Sequence, residues 1–295
     1  MSVPPPSSAE WQPPRPPDRP AAPEPQEPPQ PGWLALPTWV PFATLAAVAV
    51  GVVLLSGVVV GIVVGIRGGS AADAPEGLVI GLTVLQDLIL VGAAVYATQL
   101  VLKRVDPRMF GLRPANVGSA IQWLVVVYAV YWAASFVVLG IFGKPPEQQI
   151  VQDLKNTESL SVVLGLGILT CGVAPLAEEF FFRGFMFNAL AGRLGVPGAA
   201  VITGLVFGAI HITGSSWIGV VVLAVFGMGL CLLFARTGSL LPCIALHALN
   251  NSISFGVTKS LPAWGLVALV VVSVGGTVAS GAAFGRVRPS SRAAA

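Results

Sequence analysis

Long apolar runs separated by short polar breaks fill the chain from Trp39 almost to its end. The runs are continuous, without the apolar–polar alternation that a membrane strand requires. Each comes close to the roughly 20 residues that carry a helix across a bilayer. They lie at about 39–66, 77–101, 119–142, 160–190, 197–213, 216–235, 240–258 and 263–285. The pattern predicts an all-α, polytopic membrane protein of about eight transmembrane helices, with the helical domain over 38–286. The fourth run is peculiar. From Ser159 to Gly195 it is one long stretch interrupted by Pro175, Glu178, Glu179 and Arg183. At about 1.5 Å per residue it exceeds the bilayer thickness, so it must tilt, kink or protrude. Glu178 and His211 also fall at different depths by simple counting, unless this helix starts late or enters at a slant. Pro175 removes a backbone donor just before the glutamates, which predicts an opened turn beside a water-filled cavity.

Composition sharpens this picture. With 55% hydrophobic and 10% charged residues, a soluble fold is excluded. Residues 1–37 are different material, holding 14 of the 25 prolines, and are expected to be a disordered, solvated tail. Such a tail also offers a ligand to a proline-binding partner. It lacks the basic start and early apolar stretch of a signal peptide. Residues 287–295 form a short basic tail. With the N-terminus inside, twelve Lys and Arg fall on the inner side and four (Arg67, Lys144, Lys155, Lys259) on the outer, so both termini are expected in the cytoplasm. The net charge of +3 is small and scattered, which argues against nucleic acid as a partner and leaves the lipid bilayer. Cys171, Cys231 and Cys243 sit in the runs without a CxxC pair and read as small buried residues. Abundant Ala, Gly, Val and Arg point to a GC-rich bacterium, hence to a bacterial inner membrane. No internal repeat of the transporter kind is visible, and Gly204-xxx-Gly208 is weak evidence for close helix approach.

Ionisable groups at membrane depth are costly and mark function by default. On a helix, Glu179 and Arg183 share a face and can pair, while Glu178 is rotated by about 100° and points elsewhere. A second buried carboxylate without a cation needs water, a proton or a metal. The only two histidines, His211 and His247, also lie in apolar sequence, within the pairs Phe207–His211 and His247–Asn251. Singly, each has a bland account: a buried network for Glu179, helix–helix hydrogen bonds for the histidines. Together they suit acyl hydrolysis. Glu178 serves as general base, His211 orients the water, and His247 with Asn251 donates to the oxyanion. The same set also allows a zinc ion on Glu178, His211 and His247 with water as fourth ligand, assembled from three helices because HExxH is absent.

Glu-Glu-xxx-Arg at 178–183, Phe-xxx-His at 207–211 and His-xxx-Asn at 247–251, in that order in neighbouring spans, resemble the CPBP family of CAAX prenyl endopeptidases and bacteriocin-processing or immunity proteins, also called Abi. The resemblance covers about 160–256. It implies an intramembrane endopeptidase whose cavity opens to the cytoplasm and whose substrate is a peptide or membrane protein. Carried onto this chain, it makes Glu178 and His211 the water-activating pair, His247 and Asn251 the oxyanion site, and Glu179 and Arg183 supports, with Phe207 beside them. The family is usually labelled metalloprotease. A glutamate-activated water without metal is the competing account, favoured here because Asn251 is a poor zinc ligand and a good oxyanion donor. Two other readings stand beside it. One is a non-catalytic immunity or scaffold protein; the other is a proton-coupled transporter, for which Gln86-Asp87 adds a polar membrane site that a protease should not need.

Overall fold

The computed structural model describes residues 33–70 and 74–286, and among them every regular element is helical. In chain order these are α1 (Trp39–Arg67), α2 (Glu76–Leu102), a 3-10 turn at Pro107–Phe110, α3 (Val117–Phe142), α4 (Gln149–Asn156), α5 (Leu160–Ile168), α6 (Ala174–Glu179), α7 (Asn188–Ala209), α8 (Trp217–Thr237), α9 (Leu241–Thr258) and α10 (Ala263–Phe284). Six helices are long and apolar enough to cross a membrane, one of them the 50-residue run Leu160–Ala209. α9 is not among these six; it carries His247, Asn250 and Asn251. The protein is a multi-pass membrane protein of the all-α class.

The fourth and fifth runs meet without a loop. Gly195 (φ 68°, ψ 168°) leaves the helical region and Pro197 follows, so α7 turns inside its own span. The break falls where the hydropathy pattern placed it. Upstream, two π-helical turns, Leu169–Val173 and Phe180–Phe187, flank α6. The helix begins at Leu160, so a late start does not reconcile the depths of Glu178 and His211.

Phe180–Phe187 is buried on every side and forms the centre of the molecule. Its rings meet Phe110 (4.5 Å between centroids), Phe207 (5.2 Å) and Phe234 (5.9 Å) from three other elements. α7 and α8 approach at backbone contact. A Cβ on Gly204 would stand 2.8 Å from the Ala224 carbonyl, and one on Gly208 would run into the Val220 carbonyl. The small-residue pair therefore does more than its spacing alone implied. By contrast only 6% of the apolar window of α1 is buried, against 44% for α8, so α1 is peripheral.

Two connections depart from the sequence reading. Trp33–Pro37, assigned there to the tail, pack on the bundle: Leu34 and Leu36 are buried, and the Leu34 N–H donates to Asn188 Oδ1 at 2.9 Å. Residues 1–32, where the rest of the proline-rich tail falls, and 287–295, the basic tail, lie outside the described residues. The link before α5 contains α4, which buries Leu154 and is tied to the α7–α8 turn by the Gln149 N–H on the Gly214 carbonyl (3.0 Å). Its apolar positions are too few to register as a run.

Candidate active site

Glu178 and Glu179 end α6, immediately before the second π-helical turn, and their side chains diverge as helical geometry requires. Glu179 is fully buried. Its Oε1 accepts from Arg183 Nη1 at 2.8 Å, the i, i+4 pair expected from the spacing. The same oxygen lies 2.8 Å from His247 Nδ1, a contact the sequence did not foretell. A carboxylate only accepts, so Nδ1 carries the proton and the other ring nitrogen is turned outward. Arg183 is equally buried; its Nη2 donates to the Gly227 carbonyl at 2.9 Å and its guanidinium lies 4.6 Å from the Phe207 ring centroid. The close approach of Gly227 to Gly204 brings that carbonyl within reach.

Glu178 faces the opposite way. Its Oε2 is buried and has no hydrogen-bond partner among the described residues, and it stands 3.9 Å from His247 Nε2. That gap is too long for a hydrogen bond and suits one bridging water or substrate oxygen. Phe207 and Phe226 wall the imidazole, with ring centroids at 6.0 and 5.6 Å. A free carboxylate and an oriented imidazole thus face each other across 3.9 Å.

Asn251 stands one turn after His247 on α9, and what it holds explains Pro175. Within the first π-helical turn the Ala174 N–H bonds the Leu169 carbonyl. The next bond in that register would run from residue 175 to Thr170, but proline has no N–H. The stranded Thr170 carbonyl accepts from Asn251 Nδ2 at 2.8 Å instead. One amide N–H of Asn251 is therefore committed to the backbone and the other is left for the site.

His211 sits differently. α7 ends at Ala209, so this residue lies in the following turn and not on the helix expected to reach 213. Its Nδ1 meets the Phe207 carbonyl at 2.7 Å, and its ring lies 5.1 Å from that of Phe207. Phe207 thus packs between the two imidazoles. No three His, Cys, Asp or Glu among the described residues are grouped to hold a metal ion. Glu178 and His247 face each other, whereas the ring of His211 is turned to its own helix. Asp87 on α2 was missed as a neighbour of the site. It is buried, its Oδ2 is unpartnered among the described residues, and it acts electrostatically on both Glu178 and His247. No local signal could have linked it to Glu178 and His247, which lie far along the chain from it.

Residues 160–253 match the family model described as Type II CAAX prenyl endopeptidase Rce1-like, which bears out the family resemblance drawn from the three motifs. No curated protein and no solved structure matches the chain.

Proposed function

We propose that this protein is an intramembrane endopeptidase that hydrolyses a peptide bond with water activated by Glu178. The observation that carries the reading is the divergence of the two glutamates around one histidine. Glu179 holds His247 by its Nδ1–H and pairs with Arg183; Glu178 is left with no bonded cation, 3.9 Å from His247 Nε2. The match of residues 160–253 to a CAAX-endopeptidase family supports the same reading.

In the proposed reaction the scissile carbonyl enters between Glu178 and α9. Glu178 takes a proton from water, and the resulting hydroxide attacks the carbonyl carbon. The oxyanion accepts a hydrogen bond from the free amide N–H of Asn251, and His247 adds a second from Nε2 in the form of the ring that carries a proton on both nitrogens. Collapse of the tetrahedral intermediate passes the proton from Glu178 to the leaving amine. His211 lies beyond Phe207 with its Nδ1 on the Phe207 carbonyl, so activation of the water rests on Glu178. Glu179 and Arg183 touch no substrate; they hold His247 in register, much as a buried carboxylate orients a catalytic histidine elsewhere. We infer from the positive-inside count that both termini are cytoplasmic.

The test is cleavage of a quenched-peptide library by the purified, detergent-solubilised chain, beside Glu178→Gln and with or without phenanthroline. Cleavage by the wild type that vanishes in Glu178→Gln and survives the chelator supports the metal-free mechanism. Equal cleavage by both proteins removes Glu178 from the reaction.

A further inference from the structure

A second polar site lies away from the glutamates, where α10 ends. Arg108 follows the 3-10 turn's first residue, Arg113 lies in the loop before α3, and Arg286 follows α10; all three line one cavity of about 420 Å³ with Leu112, Leu241 and Gly285. Among the described residues none of the three forms an ion pair. The nearest acid in sequence, Asp106, spends its carboxylate on the Arg108 backbone N–H at 2.8 Å. Arg113 is anchored: its Nε donates to the Gly238 carbonyl at 2.6 Å, and its own carbonyl accepts from Ser239 Oγ at 2.5 Å. Arg108 and Arg286 are exposed. Flanking arginines of a membrane helix ordinarily splay into water. Here three of them converge on one space.

Directly beside it is a larger, almost wholly apolar cavity of about 630 Å³. Leu112 lines both, and the last turn of α10 divides them: Gly281 and Phe284 face the apolar side, Gly285 and Arg286 the basic one. Val105 and Ile244 continue the apolar wall, which ends at Asp87 and Ala177. Phe284 is exposed, and α10 is largely unburied, so this edge faces lipid in a multi-pass protein. The shape and charge together describe an amphiphile, with an anion at one end and a hydrocarbon chain at the other. Its volume is ordinary for a small-molecule site.

We propose that the paired cavity seats an anionic phospholipid, its phosphate held among Arg108, Arg113 and Arg286 and one acyl chain lying between α2 and α10. Basic pockets between membrane helices recognise such headgroups through charge-assisted hydrogen bonds to the phosphate. Leu241, the first residue of α9, forms part of the headgroup wall, so a bound lipid braces the helix that carries His247 and Asn251. The inference does not depend on the protease reading.

The experiment is native mass spectrometry of the full chain, delipidated and then titrated with dioleoylphosphatidylglycerol or dioleoylphosphatidylcholine, with thermal unfolding of the same samples. Wild-type protein should retain the anionic lipid in preference to the zwitterionic one and unfold at higher temperature with it. The double variant Arg108→Ala/Arg286→Ala leaves the Arg113 anchor intact and should bind the anionic lipid about thirtyfold more weakly. Arg104→Ala/Arg193→Ala, which removes two exposed arginines outside the cavity, should change binding less than about threefold. Should the double variant not fold, the single exposed change Arg286→Glu carries the same expectation. Equal retention of both lipids, equal losses in the two double variants, or stabilisation by inorganic phosphate as strong as by the lipid would each overturn the proposal.

Discussion

Adjacent residues divide the site into two halves that behave in opposite ways. On the Glu179 side every formal charge is matched: the carboxylate holds Arg183 and His247, and the guanidinium also reaches the Gly227 carbonyl. On the Glu178 side no cation is hydrogen-bonded to the carboxylate, whose Oε2 faces His247 Nε2 at 3.9 Å; Glu179 Oε2 and Arg183 Nε are also unpartnered among the described residues, but they belong to a bonded ion pair. The matched half is buried among phenylalanines and shapes the fold. The unmatched half is where the proposed reaction takes its water. In a low-dielectric interior a carboxylate with no bonded cation is costly, which is the physical ground for the catalytic role proposed for Glu178.

The comparison breaks most sharply by substitution on either side. Glu178→Gln should lower kcat/KM by about 10²- to 10⁴-fold while the unfolding temperature stays within a degree or two of wild type, since no protein partner is lost. Arg183→Leu should do the reverse in kind. Removing one member of a buried pair strands Glu179 and costs about 3–5 kcal/mol, read as early thermal unfolding, with a smaller loss of kcat in the folded fraction than in Glu178→Gln because only the hold on His247 is disturbed. A stable Arg183→Leu variant would show that the matched half is not structural. Asn251→Ala removes the proposed oxyanion donor and also strands the Thr170 carbonyl. It should reduce kcat by about 10²-fold or more and lower stability by about 1–3 kcal/mol, which separates it from Glu178→Gln in the same pair of assays.

Smaller effects sharpen the contrast between centre and periphery. Gly204→Leu should cost about 1–3 kcal/mol by forcing α7 from α8, whereas Gly57→Leu in α1, where nothing lies within 4 Å, should stay within about 0.5 kcal/mol on thermal unfolding. Asp87→Asn should alter kcat/KM by about tenfold or less, since it acts on Glu178 through space and not by contact. Complete loss at Asp87, matching Glu178→Gln, would favour a proton pathway shared by both carboxylates and hence the transporter reading.

Much of the fold was legible because the signals are local. Apolar runs of bilayer length report helices, Gly195 and Pro197 mark a break wherever the helix happens to lie, and the four-residue spacing of Glu179 and Arg183 places them on one face in any helix. What escaped was the packing of short segments with few apolar residues. Leu34 and Leu36 are buried by Asn188 and its neighbours, and α4 exists because the α7–α8 turn receives its first N–H. Neither leaves a periodic trace.

The sequence by itself determined the class of protein, the helices and the set of residues worth suspecting, since hydropathy and spacing act within a few turns. It also predicted that Pro175 would free a backbone group, although not that Asn251, 81 positions from Thr170, would claim it. Only the tertiary structure decided that His247, and not His211, faces Glu178, and that Glu179 orients it from 68 positions away. It likewise gathered three scattered arginines around one cavity. Those choices depend on which helix faces meet, and the meeting is set by glycines that let backbones touch and by phenylalanines that fill what remains.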